Sequence, residues 1–147
     1  MQDIPPHVEL DTSVGYLLKE ASSALHAAMA AVLRPLGMTI THYSCLELLA
    51  QWPGLSSAEL ARGTFVTRQS MHALLQQLER DGLVARASVA DSGRALPTRL
   101  TAAGEAQRRE ASAAVRGVED RMRSRLDEGR VDALRTLLRD CIGGLAA

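Results

Sequence analysis

Apolar side chains fall at Val14, Leu18, Ala21, Leu25, Ala28 and Val32 in alternating steps of four and three, and Leu17, Met29 and Leu33 widen the stripe. Such a seam lies along one side of a helix, expected to begin near Thr12 after an extended arm at 1–11, and it needs a partner helix to cover it. Arg34-Pro35-Leu36-Gly37 breaks the pattern. Thr39 then caps a shorter helix that buries Tyr43, Leu46, Leu49 and Ala50 and stops at Trp52-Pro53-Gly54.

Ser56 and Glu59 form a capping box, hydroxyl and carboxylate each taking an orphan N–H at a helix start, and the brief helix that follows ends at Gly63. Thr67 caps the next helix. There Met71, Leu74, Leu75 and Leu78 stand at i, i+3, i+4 and i+7 and face a core. Gln69, His72, Ala73 and Gln76, with Arg68 in the first turn, make the opposite face polar, short-chained and able to read base edges. Two capped helices joined by a turn of three or four residues, the second carrying such a face, make a helix-turn-helix. Asp81-Gly82 stops the second helix. Leu83–Val89 and Arg94–Leu100 are expected as strands around a turn at Ala90-Asp91-Ser92-Gly93, with Pro97, unable to donate to a ladder, at an edge or non-bonded position. Thr101 caps a long helix with Ala111, Val115, Val118 and Met122 on one stripe, broken near Asp127-Glu128-Gly129. In the last helix Val131, Leu134, Leu138, Cys141 and Leu145 again step by three and four. Both ends of the chain thus carry seams a monomer leaves open, and a homodimer is expected.

The 147 residues, 46% hydrophobic, suffice for one globular domain with a sizeable core. No apolar run approaches the roughly 18 residues of a membrane span, and MQDIPPHVELD is acidic where a signal peptide is basic and then apolar, so a cytoplasmic protein without a membrane partner is expected. Cys45 and Cys141 are too few for a disulfide framework or a paired zinc site and are expected as thiols. A formal charge of zero counts against nucleic acid, but residues 55–104 hold six arginines against four acids. Sixteen arginines stand beside the single Lys19, which suits bidentate phosphate or base contacts and equally a GC-rich genome. No phosphate loop, nucleophile elbow, dinucleotide fingerprint or metal-ligand cluster occurs, so no enzyme activity, cofactor or metal is expected. His42 and Cys45 stand at i and i+3, but no HxxxH motif completes a metal site. Cys45, beside Leu46 and Leu49, reads as an inert core thiol rather than a redox sensor.

Leu36-Gly37-Met38-Thr39, Leu55-Ser56-Ser57-Ala58-Glu59-Leu60-Ala61, Leu78-Glu79-Arg80-Asp81-Gly82-Leu83-Val84 and Leu100-Thr101-Ala102-Ala103-Gly104 follow one another at spacings that resemble the MarR family of bacterial transcriptional regulators over nearly the whole chain. The resemblance implies a mainly α fold with a small β-hairpin wing. It implies a single domain over 1–147, with a winged helix-turn-helix lobe at 37–104 and dimerisation helices at 12–36 and 101–147 that interlace in a triangular homodimer. Two recognition helices would enter successive major grooves of a pseudo-palindromic double-stranded operator, about 34–36 Å apart. Ser57, Thr67, Arg68, Gln69, Ser70, His72, Ala73 and Gln76 are expected at the DNA, Gln69 and His72 on bases and Arg68 or Ser70 on phosphates.

Ser92 and Arg94 join them from the wing, Arg94 in the minor groove. In the family an Asp two residues earlier orients this arginine. Here that position is Ser92 and the acid is Asp91, so either Asp91 compensates through a shifted turn at Gly93 or the wing is looser. Family members often bind aromatic acids in the crevice between the dimerisation helices and the winged lobe. Tyr16, His26, Tyr43 and Arg86 are the candidate ligand residues, because a phenolate or carboxylate needs a cation and donors inside an apolar slot. The implied function is a DNA-binding regulator, a repressor released by a small aromatic or phenolic ligand through a population shift. The alternative is a dimeric winged-helix adaptor that turns the same face to a protein, without operator binding.

Overall fold

The computed structural model describes residues 7–87 and 97–146. Helix α1 is Val14–Leu33, and its cap is Ser13, whose hydroxyl accepts from the Tyr16 N–H at 3.1 Å, so the helix begins slightly later than Thr12. A single 3-10 turn at Arg34–Leu36 follows, and Gly37 leaves it with φ 72°, a left-handed conformation that glycine adopts without strain. Next come α2 (Ile40–Gln51), α3 (Ser57–Thr64), α4 (Arg68–Arg80), β1 (Val84–Arg86), β2 (Thr98–Leu100), α5 (Ala102–Arg123) and α6 (Glu128–Leu145). Thr39, Ser56, Thr67 and Thr101 each cap as expected, accepting the N–H three residues on.

The strands pair antiparallel, Val84 with Leu100, Ala85 with Arg99 and Arg86 with Thr98. Leu55 adds a bridge to Thr98, whose N–H donates to the Leu55 carbonyl at 3.0 Å. Pro97 precedes β2 and uses only its carbonyl, accepting from Ala87 N–H at 3.1 Å, as a residue without a donor must. The expected turn at Ala90-Asp91-Ser92-Gly93, and with it Val89 and Arg94, lies outside the described residues.

The core forms where α1 ends and α2, α3, α4 and the strands meet. Leu33, Leu46, Leu49, Leu60, Met71, Leu75 and Leu78 are all buried there, each stabilising the fold by about 1.5–3 kcal/mol. Helix α5 is locked onto this lobe at two places. At its start Thr101 N–H donates to the Leu83 carbonyl at 3.1 Å and the Thr101 hydroxyl donates to the Gly82 carbonyl at 2.6 Å. Buried Gly104 follows, where any Cβ would overlap the Leu83 carbonyl oxygen. Further along, Arg108 Nη1 reaches both Glu47 oxygens at 3.2 Å, Ser112 donates to Glu47 at 3.3 Å, and His42 Nε2 donates to Gln107 Oε1 at 3.0 Å. These pairs fasten α2 to α5. The end seams remain open in the protomer: Val14, Leu17 and Leu18 on α1 and Leu134, Leu137, Leu138, Ile142 and Leu145 on α6 are exposed.

Candidate nucleic-acid interface

The interface is built by caps. Ser56 N–H donates to Glu59 Oε1 and Glu59 N–H to Ser56 Oγ, both at 3.1 Å, so the two ends of the capping box close on each other. The Ser56 backbone N–H, and then its hydroxyl, hold the Glu59 carboxyl below the usual carboxylate range. Ser57 is thereby fixed as the first, half-buried residue of α3. Thr67 Oγ1 accepts from Ser70 N–H and donates to Ser70 Oγ, both at 3.0 Å, which starts α4.

With Met71, Leu75 and Leu78 buried beneath it, α4 exposes Arg68, Gln69, Ser70, His72, Ala73 and Gln76. Thr67 is exposed beside them. The structure therefore collects the α4 candidates on one solvent face at the N-terminal part of the helix, where backbone N–H groups and the helix dipole favour phosphate. Toward the other end the polar groups are tied among themselves, Arg80 to Gln77 and Gln77 to Asp81, both at 2.9 Å. Ser92 and Arg94 lie outside the described residues.

One residue here was missed by sequence reasoning. Phe65, in the turn between α3 and α4, takes φ 61° and ψ 39° and is 94% exposed. The left-handed conformation costs a residue with a Cβ about 1–2 kcal/mol. The signal in the sequence is an aromatic placed where the turn of a helix-turn-helix calls for glycine.

Among the described residues, no cleft is lined by all four candidate ligand residues. Tyr16 is exposed on α1. His26 lines a cavity of about 380 Å³ with Arg34, Met38, Thr39 and Thr41, and another of about 450 Å³ along α1; neither includes Tyr16, Tyr43 or Arg86. Tyr43 is buried, and burial together with the Glu47 carboxylate raises its phenol above the ordinary range. Arg86 is half-buried. Its Nε and Nη2, and the hydroxyl of its strand partner Thr98, are buried without a hydrogen-bond partner among the described residues. Its charge reaches Cys45, where burial nevertheless pushes the thiol up to about 12. A third cavity, about 300 Å³ and mainly apolar, lies between Ala21, Ala24, Leu25 and Ala28 of α1 and Val118, Arg121 and Met122 of α5. Among the described residues no cluster of three His, Cys, Asp or Glu is placed to hold a metal, and no single helix is long and apolar enough to cross a membrane.

A profile of the MarR family matches residues 36–95, a stretch that includes α2, α3, α4 and β1. Over 116 residues the chain is 47% identical to the HTH-type transcriptional repressor Rv2887 of Mycobacterium tuberculosis, covering 79% of this chain and 84% of that protein. Crystal structures of that MarR family protein superpose on it. The complex with salicylic acid gives a TM-score of 0.73 at 42% identity, covering 89% of this chain and 97% of the other. The complex with DNA gives 0.72 at 38%, covering 89% and 98%. A MarR family transcriptional regulator from Silicibacter pomeroyi, 23% identical, superposes with a TM-score of 0.84 over 95% of this chain and 94% of its own, a likeness of fold.

Proposed function

This chain belongs to the MarR family, and from that premise we propose that it is a homodimeric, sequence-specific DNA-binding transcriptional regulator, a repressor whose grip on its operator is loosened by a small aromatic acid. The observation that carries the reading is the exposed face of α4, where Arg68, Gln69, Ser70, His72 and Gln76 stand on a helix anchored from beneath by Met71, Leu75 and Leu78. Gln69 and His72 read base edges, and Arg68 and Ser70, at the helix start, hold phosphate. Ser57 and Thr67 support the backbone contacts. The lobe spans 37–104, and the helices at 12–36 and 101–147 pair with a second copy, which covers the apolar residues left open on α1 and α6. Operator binding places the protein with the chromosome, in the cytoplasm. Its activity is binding, with no catalytic step.

The relative Rv2887 has been crystallised with DNA, with salicylic acid and with p-aminosalicylic acid. For this chain the carboxylate of such an effector finds its cation in Arg86, whose buried N–H groups lack partners among the described residues. An effector that prefers a dimer with wrongly spaced recognition helices weakens DNA binding, and DNA weakens effector binding by the same factor.

Fluorescence anisotropy on a duplex from the gene's own upstream region tests the DNA contacts. Gln69→Ala relaxes discrimination at one operator position by about 1–3 kcal/mol, whereas Arg68→Ala weakens all sequences alike and lowers the salt slope by roughly one. Identical behaviour of the two variants would refute the division between base and phosphate. Operator binding that neither variant changes would leave the α4 face to a protein partner.

A further inference from the structure

Phe65 breaks two local rules at once. Among the described residues it is the one non-glycine with positive φ, while the other left-handed positions are Gly37, Gly54 and Gly82. Among the same residues it is also the most exposed large apolar side chain, at 94%. Its backbone is well held, its N–H bonded to Arg62 O at 3.3 Å and the next N–H, of Val66, to Ala61 O at 3.1 Å, so the turn itself is satisfied without any contribution from the ring. Strain and apolar exposure that serve neither turn nor core mark a residue kept for contact with something outside the protomer. The position says what. Phe65 stands two residues before the Thr67 cap and three before Arg68, next in sequence to the exposed start of α4.

We propose that Phe65 is a further DNA contact, its ring packing on apolar C–H surface of the operator beside the entry point of α4, either a thymine methyl or a deoxyribose. The inference rests on the operator-binding reading above. A neutral ring releases no counterions, so the contact adds affinity without adding to the salt dependence that Arg68 carries. A thymine methyl would also make it specific, since apolar side chains read that group in the major groove.

The test uses the full-length dimer and a duplex selected by the wild-type protein from a random-sequence pool. Phe65→Gly fits φ 61°, so its melting temperature holds or rises. Phe65→Asn, also tolerant of that conformation, controls for loop freedom. Both bind the selected duplex about 5–30-fold more weakly, as partial burial of a phenyl ring implies, with a salt slope parallel to wild type, while Phe65→Tyr stays within about threefold. Replacing thymines by deoxyuridine separates the two surfaces. If one replacement weakens wild type but not Phe65→Gly, the ring reads that methyl; if none does, it rests on sugar. Binding of both variants within about twofold of wild type would overturn the proposal while leaving the operator reading intact. Failure of wild type to select any sequence would remove both.

Discussion

Gly104 and Gly117 sit on the same helix, and alanine at each should move stability in opposite directions. At Gly104 a Cβ would overlap the Leu83 carbonyl oxygen, with Leu83 C at 3.0 Å and Leu100 Cδ2 at 3.2 Å. The carbonyl cannot swing aside, because it accepts from Thr101 N–H, and Thr101 also donates its hydroxyl to Gly82 O. Helix α5 must therefore move away from β1. Overpacking costs about 1–3 kcal/mol and each strained or broken bond about 0.5–1.5 kcal/mol, against a gain of about 1 kcal/mol from helix propensity. A net loss of about 3 kcal/mol follows for Gly104→Ala, or about 6–12 °C in Tm for a chain of this length. At Gly117 nothing lies within 4 Å of the added carbon, so only the propensity gain of up to about 1 kcal/mol remains. Differential scanning calorimetry at fixed protein concentration measures both. Equal shifts for the two variants, or a Gly104→Ala protein as stable as wild type, would refute the claim that close backbone approach fixes α5 on the wing base.

Cys45, fully buried and with its thiol pushed up to about 12, is about one part in ten thousand thiolate at pH 8, so a disulfide reagent should leave it unlabelled in the native protein and modify it in urea; native labelling at the urea rate would contradict this. His42 titrates below its ordinary value, chiefly because burial disfavours its charged form, with the Gln107 bond and the Asp81 carboxylate opposing. Its neutral form therefore supports the fold above about pH 6.5, and that support is lost as pH falls through the lower folded value. Urea titrations at pH 7.5 and 5.5 should show a larger loss for wild type than for His42→Gln, and identical losses would count against it. Ser56→Ala, which removes the hydroxyl half of the capping box, should cost about 1 kcal/mol and weaken DNA binding by loosening the start of α3.

The helices were legible because each is specified locally. Steps of three and four mark the buried stripes, and Thr39, Ser56, Thr67 and Thr101 mark the starts. Where two hydroxyl residues stand side by side, as Thr12 and Ser13 do, local chemistry leaves the choice open, and the structure takes Ser13. Long-range pairings left no local trace. The Leu55 bridge to Thr98 and the His42–Gln107 bond join residues far apart in sequence and are made only by the fold. The face of α4 could be read from one helix alone. An anion site collects side chains from several elements, so no single helical pattern specifies one; the cleft that joins His26 of α1 to Arg34 and Thr41 is made only by the fold. Phe65 was overlooked because pattern reading rewards residues that obey local preference, and this one is informative by breaking it.

The most direct test of the central claim is fluorescence anisotropy of the intact protein on duplex DNA from its own upstream region against a scrambled duplex, at two salt concentrations, with and without salicylate, for wild type and Arg86→Gln. The account predicts salt-sensitive wild-type binding that exceeds the scrambled duplex and weakens about 5–150-fold with salicylate, and an Arg86→Gln protein that binds the operator but has lost the response. Equal, weak binding to both duplexes would contradict the regulator, and an undiminished salicylate response in Arg86→Gln would contradict the effector site.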